Sequence, residues 1–312
     1  MSGVITVGVD GSEHGKAAAD WAAAEAARRG MELRLVHAWV WQPLDLPVTA
    51  DTEAQQRWAE TLLRETRARV TARWPGVPVT ARLLPADPVP ALVAEATEAD
   101  MLVLGSRGHG ALIGYLIGST ALHVLRQARG PVVLVRSDGD PADGRKEPVA
   151  GRGEPVGGRG QPVAGPAAPE EVLVGVPGAE EEAGAVLEFA FAAAAARGAS
   201  LRAVRAWSIP PVFAWSPASM RLADEAGGLE PLERKRLADV LQPWRERHPQ
   251  VEVVEHVEVG SAAQVLLSAC ERAALLVVGR HASGPHAPQR IGHVAHAALH
   301  HAPCPVAVVP QP

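Results

Sequence analysis

The chain is poor in cysteine and lysine, and each shortage excludes something. Two cysteines, Cys270 and Cys304, in 312 residues cannot make a disulfide framework. Both are expected to be reduced, in a cytoplasmic protein. Lysine occurs only at 16, 146 and 235, and the net charge is −5, so there is no basic field for nucleic acid. No basic patch interleaves with Trp39, Trp41, Trp58, Trp207, Trp215 and Trp244. These tryptophans are expected to be core or helix-covering side chains rather than a platform for stacked bases. The densest apolar run, Phe189 to Ala196, is far short of a membrane span. Met1-Ser2-Gly3 leads straight into Val4-Ile5-Thr6-Val7, without a charged segment followed by an apolar one, so no signal peptide is expected.

What is present is a pattern written twice. Val7-Gly8-Val9-Asp10 returns as Val174-Gly175-Val176-Pro177, and His37-Ala38-Trp39 as Arg205-Ala206-Trp207. Leu102-Val103-Leu104-Gly105 returns as Leu276-Val277-Val278-Gly279, and Gly130-Pro131-Val132 as Cys304-Pro305-Val306. Matches in one order over so long a stretch mean a duplicated domain. The hydrophobic fraction of 47% supports two real cores. The expected division is a first domain at 1–137, a linker at 138–169 and a second domain at 170–312. The linker repeats Arg-x-Glu/Gln-Pro-Val-x-Gly at 145–151, 152–158 and 159–165 except that Lys146 replaces glycine. Pro and Gly in each repeat forbid a helix, so a flexible spacer is expected.

Within the first copy, strands are expected near 4–9, 32–40, 77–84, 101–105 and 131–136, and helices at 14–29, 53–73, 88–98 and 119–129. The strands are continuous Val/Leu runs, as in a parallel sheet covered on both faces. Asp87 and Ser261 read as N-caps of equivalent third helices. Strict alternation predicts an α/β fold with a doubly wound sheet in 3-2-1-4-5 order. Ligands of such sheets bind at the C-terminal strand ends. Asp10 ends the first strand and Gly105 the fourth, so both face one crevice.

That crevice has a phosphate loop of unusual spacing. Gly105-Ser106-Arg107-Gly108 is followed after nine residues by Gly118-Ser119. Glycine lets backbone approach a ligand, and free N–H groups at the next helix start attract anions. Ser119 is placed to cap that helix and to donate to a phosphate. The pattern is neither a Walker loop, which needs Gly-Lys-Ser/Thr, nor Gly-x-Gly-x-x-Gly at a first strand. Asp10 is either a nucleoside acceptor or a turn residue of Asp-Gly-Ser.

Gly-x2-Gly-x9-Gly-Ser after a fourth strand, with Asp10 at the end of the first, resembles the ATP-binding universal stress proteins. The resemblance covers nearly the whole chain outside the linker. It implies two tandem flavodoxin-like domains and a regulatory role in stress response. It implies an adenine nucleotide, ATP with or without Mg, in the first domain. Asp10, with Gly8 and Val9 beside it, would contact the nucleoside, and Ala38 would line the base pocket. Leu104, Gly105, Arg107 and Gly108 would wrap ribose and phosphates, and Gly118, Ser119 and Thr120 would close on the phosphates. It further implies pairing through the last strands, Val132–Val135 and Val306–Val309. With two copies in one chain this gives an intramolecular pseudo-dimer, with a homodimer also open. A slow ATPase or nucleotidyl transferase and a nucleotide-free scaffold are the rival readings.

The second copy departs from the pattern. Pro177 stands for Asp10, Ala282 for Gly108 and His293 for Ser119. It is expected to bind ATP weakly or not at all. His293, His296 and His300 share one helical face, which keeps a transition-metal site open as an alternative to a solvated helix face.

Overall fold

The computed structural model describes residues 3–39, 52–106, 117–137, 171–178, 182–208, 228–281 and 291–311. The expected linker therefore lies outside the described residues, as do Arg107, Gly108, Trp41, Trp215 and Ala282. The first half runs β1 (Val4–Gly8), α1 (Glu13–Arg29), β2 (Glu32–Ala38), α2 (Thr52–Arg73), β3 (Val79–Leu84), α3 (Pro88–Glu98), β4 (Met101–Ser106), α4 (Ser119–Gln127) and β5 (Val132–Arg136). The second runs β6 (Glu171–Gly175), α5 (Gly184–Arg197), β7 (Ser200–Trp207), α6 (Glu230–Arg247), β8 (Val253–Val259), α7 (Ala262–Ala269), β9 (Ala273–His281), α8 (His293–His301) and β10 (Val306–Gln311).

The sheet order is β3-β2-β1-β4-β5-β10-β9-β6-β7-β8. Each half is parallel and has the 3-2-1-4-5 order read from the sequence. At the junction β5 pairs antiparallel with β10, and Val133 faces Ala307. Those two residues are equivalents in the repeat, so a pseudo-twofold axis passes between them. Core strands are apolar on both faces, as parallel sheets under helices require: Met101, Leu102, Val103 and Leu104 are all buried. Helix α1 meets the sheet with Ala18, Ala19, Ala22, Ala23 and Ala26, side chains small enough for close approach. It ends at Gly30 (φ 62°), whose N–H reaches back to the Ala26 and Ala27 carbonyls; Gly198 (φ 61°) ends α5 the same way.

The pseudo-twofold also relates α1 and α5. Arg29 lies over the Phe189 ring at 5.5 Å and Arg197 over the Trp21 ring at 5.8 Å. Arg29 and Arg197 are equivalents, and so are Trp21 and Phe189. One carboxylate breaks the symmetry. Glu25, with no exposed side-chain surface, binds Arg29 at 2.6 Å and Arg197 at 2.6 Å, with Arg28 at 3.7 Å. Its counterpart in α5 is Ala193. Burial lowers the Arg197 pKa, and Glu25 opposes that effect. Two further arginines cross the seam. Arg136 of β5 donates to the Leu299 and Ala302 carbonyls at the end of α8. Arg280 of β9 donates to the Arg126 and Ala128 carbonyls at the end of α4, at 3.1 and 2.5 Å. Each places a cation where a helix C-terminus has unpaired carbonyls and partial negative charge.

Some local readings differ from the sequence expectation. Ser119 is the first residue of α4; the cap position belongs to Gly118, which has no side chain to bond the helix. Asp87 and Ser261 hold the cap positions expected of them, but neither side chain bonds the helix. Trp58 is 54% exposed, not a core residue. Its ring lies edge-on to His37.

Candidate functional site

The C-terminal ends of β1, β2 and β4 and the start of α4 enclose a cavity of about 280 Å³. That is at the lower end of small-ligand pockets. Gly8, Val9, Asp10, Ala38, Leu104, Gly105, Gly118, Ser119 and Thr120 all line it. These are the expected site residues that fall among those described; Arg107 and Gly108 do not. Ser12, His14, Gly15, Val36, His37, Pro88, Leu92 and Ala121 complete the wall.

The lining is of mixed character. Val36, Ala38 and Leu104 from the strands and Leu92 from α3 are its apolar part. The start of α4 is part of the same wall. Its first ladder bond is Leu122 N–H to the Gly118 carbonyl at 3.0 Å. The N–H groups of Ser119, Thr120 and Ala121 therefore precede the helical ladder and offer donors to an anion. A Cβ built on Gly118 would meet nothing within 4 Å, so the space before the helix is open.

Gly105 also sets the packing of α1. A Cβ there would come within 2.5 Å of the His14 carbonyl carbon and oxygen and 2.9 Å of the Gly15 nitrogen. Its bare α-carbon admits the start of α1, while the residue remains part of the cavity wall. Gly15 in turn makes room for Asp10, whose Oδ1 would lie 2.6 Å from an added Cβ. The glycines thus bring β1, β4 and α1 together tightly enough to form one wall.

Asp10 serves as a turn residue and also faces the cavity. Its Oδ1 accepts from the Ser12 N–H at 3.0 Å and the Ser12 hydroxyl at 2.5 Å. Ser12 then caps α1 by accepting from the Gly15 N–H at 3.1 Å. This chain of bonds fixes the carboxylate, leaving lone pairs of Oδ2 for a donor. Beside it, His37 Nδ1 bonds the Val9 carbonyl at 2.7 Å, and its ring meets Trp58 edge-on at 5.6 Å. His14 Nδ1 pairs with the Ser137 hydroxyl.

Sequence reasoning passed over Ser12, His14, Gly15, Val36, His37, Pro88, Leu92 and Ala121. Of these Ser12 left a local signal, as the cap residue after Asp10-Gly11. The His293, His296 and His300 face does not assemble with other ligands. Among the described residues no group of three or more His, Cys, Asp or Glu is gathered to hold a metal. The His296 and His300 rings lie against each other, tilted by 37° with centroids 4.4 Å apart.

The family model described as "Universal stress protein family" matches residues 1–136 and again 170–310. The chain belongs to that family. Universal stress protein Rv2005c of Mycobacterium tuberculosis (strain ATCC 25618 / H37Rv) is 33% identical over 318 residues, covering 98% of this chain and 97% of the relative. A universal stress protein of Mycolicibacterium smegmatis is 30% identical over 317 residues, covering 98% and 96%. The crystal structure of a universal stress protein from Archaeoglobus fulgidus DSM 4304 superimposes with a TM-score of 0.69 over 99% of both chains at 17% identity, a likeness of fold. No helix among the described residues is long and apolar enough to cross a membrane.

Proposed function

We propose that the first half of this universal stress protein binds one adenine nucleotide, ATP foremost, and that the protein acts as a cytoplasmic nucleotide-responsive regulator. The observation that carries this reading is the polarity of the cavity. Its lining combines the Asp10 carboxylate, apolar side chains and the open start of α4. A phosphate chain suits the helix start, where partial positive charge and unladdered N–H groups converge. Asp10 repels phosphates, so ribose hydroxyls or the adenine amine belong on its side. Val36, Ala38 and Leu92 suit the base. The residues fit the group, and Arg107 and Gly108 are assigned to its phosphates from the motif. A bound Mg would neutralise phosphate charge.

The same reading extends to assembly. We infer that the two halves act as one intramolecular unit, with β5 and β10 paired. In its support, Arg136 and Arg280 each reach across that junction to a helix end of the other half.

Titration calorimetry of the full chain with Mg-ATP is expected to give one site per chain. Two equal sites, or none, would overturn the assignment. Phosphate release measured in the same samples separates a binding protein from a slow ATPase, because only the second turns over.

A further inference from the structure

Among the described residues that line the cavity, two side chains can carry positive charge, His14 and His37. They belong to different parts of the sheet. His37 is in β2, between Val36 and Ala38. His14 is in α1, with its backbone against Gly105 of β4. Its ring is bonded through Nδ1 to the hydroxyl of Ser137, the residue directly after β5. The sheet order β2-β1-β4-β5 puts three strand spacings, about 14 Å, between β2 and β5. His14 therefore reaches across the cavity mouth toward β5. The crossover from β4 to β5 runs through α4, so this is also the flank on which α4 begins. Val36 and Ala38 belong to the β2 flank.

The two rings have partners of different kinds. The Val9 carbonyl only accepts, so His37 keeps a hydrogen on Nδ1. A hydroxyl both donates and accepts. Ser137 donates to the neutral His14 ring and accepts from the protonated one, so the bond persists through a change of charge. In both states the hydrogen on Nε2 is the one a ligand can use. Protonation adds charge to that donor, and a charge-assisted hydrogen bond is about twice as strong as a neutral one.

The charged groups around His14 are mostly turned to other partners. Glu13 beside it on α1 pairs with Lys16 at 2.7 Å. Arg69 of α2 takes Asp20 at 2.5 Å. Arg136 at the end of β5 donates to the Leu299 carbonyl. On α4, His123 bonds the Ser119 carbonyl at 2.7 Å. β4 carries no titratable side chain. Asp10, held by Ser12, is the charge that shares the cavity with His14. With both rings neutral it makes the described lining negative, a poor match for a polyphosphate. A proton on His14 cancels it.

Resting on the nucleotide reading above, we propose that His14 is a phosphate-binding residue of the first half, and that its protonation tunes affinity for the phosphate chain. Nε2 donates to a phosphate oxygen, with added charge when the ring takes up a proton. The second half shows the converse. Counted back along the helix from Glu25 and Ala193, Glu182 stands in the place of His14, and Gln311 in that of Ser137. A carboxylate in that place repels phosphate, in keeping with the lost motif.

The test is titration calorimetry of the full chain with Mg-ATP and with adenosine, between about pH 5.5 and 8, where histidine changes charge. His14→Gln is polar, of similar length and unable to take up a proton. Protonation of ATP itself acts on wild type and variant alike, so the ratio of their affinities isolates His14. For Mg-ATP that ratio should fall about tenfold from the acid to the alkaline end, the lower worth of a hydrogen bond to a charged group. For adenosine it should stay constant. His14→Lys carries its charge throughout and should hold Mg-ATP more tightly than His14→Gln at the alkaline end. A constant ratio for Mg-ATP, an equal slope for adenosine, or a lysine variant no tighter than the glutamine one would overturn the proposal and leave the nucleotide reading standing. Wild-type chain that binds no Mg-ATP at any pH would overturn that reading, and this proposal with it.

Discussion

The two halves of this molecule share a sheet order and differ in what fills the end of it. In the first half, His37 bonds the Val9 carbonyl and leans on Trp58 beside an open cavity. In the second, Arg205 takes the place of His37. It donates to the Pro177 carbonyl at 3.2 Å and pairs with Glu233 at 2.7 Å. Gly105 is backed by the start of α1, whereas its equivalent Gly279 is covered by the Gln311 side chain, whose amide donates to the Glu182 carbonyl at 2.8 Å. The strand-end backbone is kept while its surroundings change: Val9 N–H to the Val36 carbonyl and Val176 N–H to the Val204 carbonyl are both 2.9 Å. A duplicated fold therefore preserves its frame and can lose its site, because the frame is fixed by apolar strands and the site by a few polar side chains.

The largest expected effect lies where the halves touch. Glu25→Ala leaves Arg197, with 2% of its side chain exposed, and Arg29 buried without a carboxylate. Removing one partner of a buried pair costs about 3–5 kcal/mol. Urea unfolding at neutral pH measures it. A loss under about 1 kcal/mol, the range of surface pairs, would mean that water already solvates the seam. Ala193→Glu added to that variant moves the carboxylate to the opposite helix and is not expected to compensate fully.

Next is Asp10→Asn, which separates the turn from the ligand. Asparagine keeps an oxygen for Ser12 and loses the charge. The fold should hold while affinity falls by roughly 1.5–3 kcal/mol, about ten- to a hundredfold, the worth of a hydrogen bond to a charged group. Calorimetry with adenosine and with ATP should show equal weakening. If ATP weakens and adenosine does not, Asp10 belongs to the phosphate end. The matching change Pro177→Asp should not create a site, because Arg205 already bonds the Pro177 carbonyl and would pair with the new carboxylate.

How much of this was legible in the sequence depends on what kind of signal each feature leaves. The strands were readable because burial on both faces writes uninterrupted Val/Leu runs, and the repeat fixed their order twice. Asp10, Gly118 and Ser119 were readable because strand ends and helix starts converge in this fold. His14 and Gly15 were not, since they face the cavity only through the close approach of α1 to Gly105, a tertiary contact without a local pattern. The helix cap was read one residue late at Ser119: the preference of serine for caps is a statistical signal, and the helix begins one residue earlier, with Gly118 at the cap. Trp58 was read as a core or helix-covering side chain on residue type alone, and only tertiary contacts decide how much of it is covered.

Gly105→Ala and Gly279→Ala test the difference between backbone and side-chain cover. At Gly105 the added methyl meets the α1 backbone, which cannot move without shifting the helix. Overpacking of this kind costs about 1–3 kcal/mol. At Gly279 it meets the Gln311 amide, the far end of a flexible side chain. That amide can swing aside at the expense of one hydrogen bond, about 1 kcal/mol. Thermal or urea unfolding of both variants should rank Gly105→Ala as the more damaging. The reverse order would show that α1 gives way more easily than the final strand.

The smallest effect is expected from Trp58→Leu. Position 58 is equivalent to Leu232, and both side chains are largely exposed, at 54% and 46%. The substitution therefore gives the first half the residue of the second. Trp58 is packed along one edge, against His37 and beneath Gly11, where an added Cβ would touch its ring at 3.4 Å. Losing the edge-on ring pair costs about 0.5–1.5 kcal/mol. Much of the apolar contact is kept by leucine, so the lower half of that range is expected in urea unfolding. The cavity wall contains His37 but not Trp58. Nucleotide affinity should accordingly stay within about twofold, or about 0.4 kcal/mol. A drop in ATP affinity of tenfold or more with unchanged stability would put the tryptophan face in contact with the base. The site would then extend outward along α2, and the contrast between the halves would rest on Trp58 as well as on Asp10.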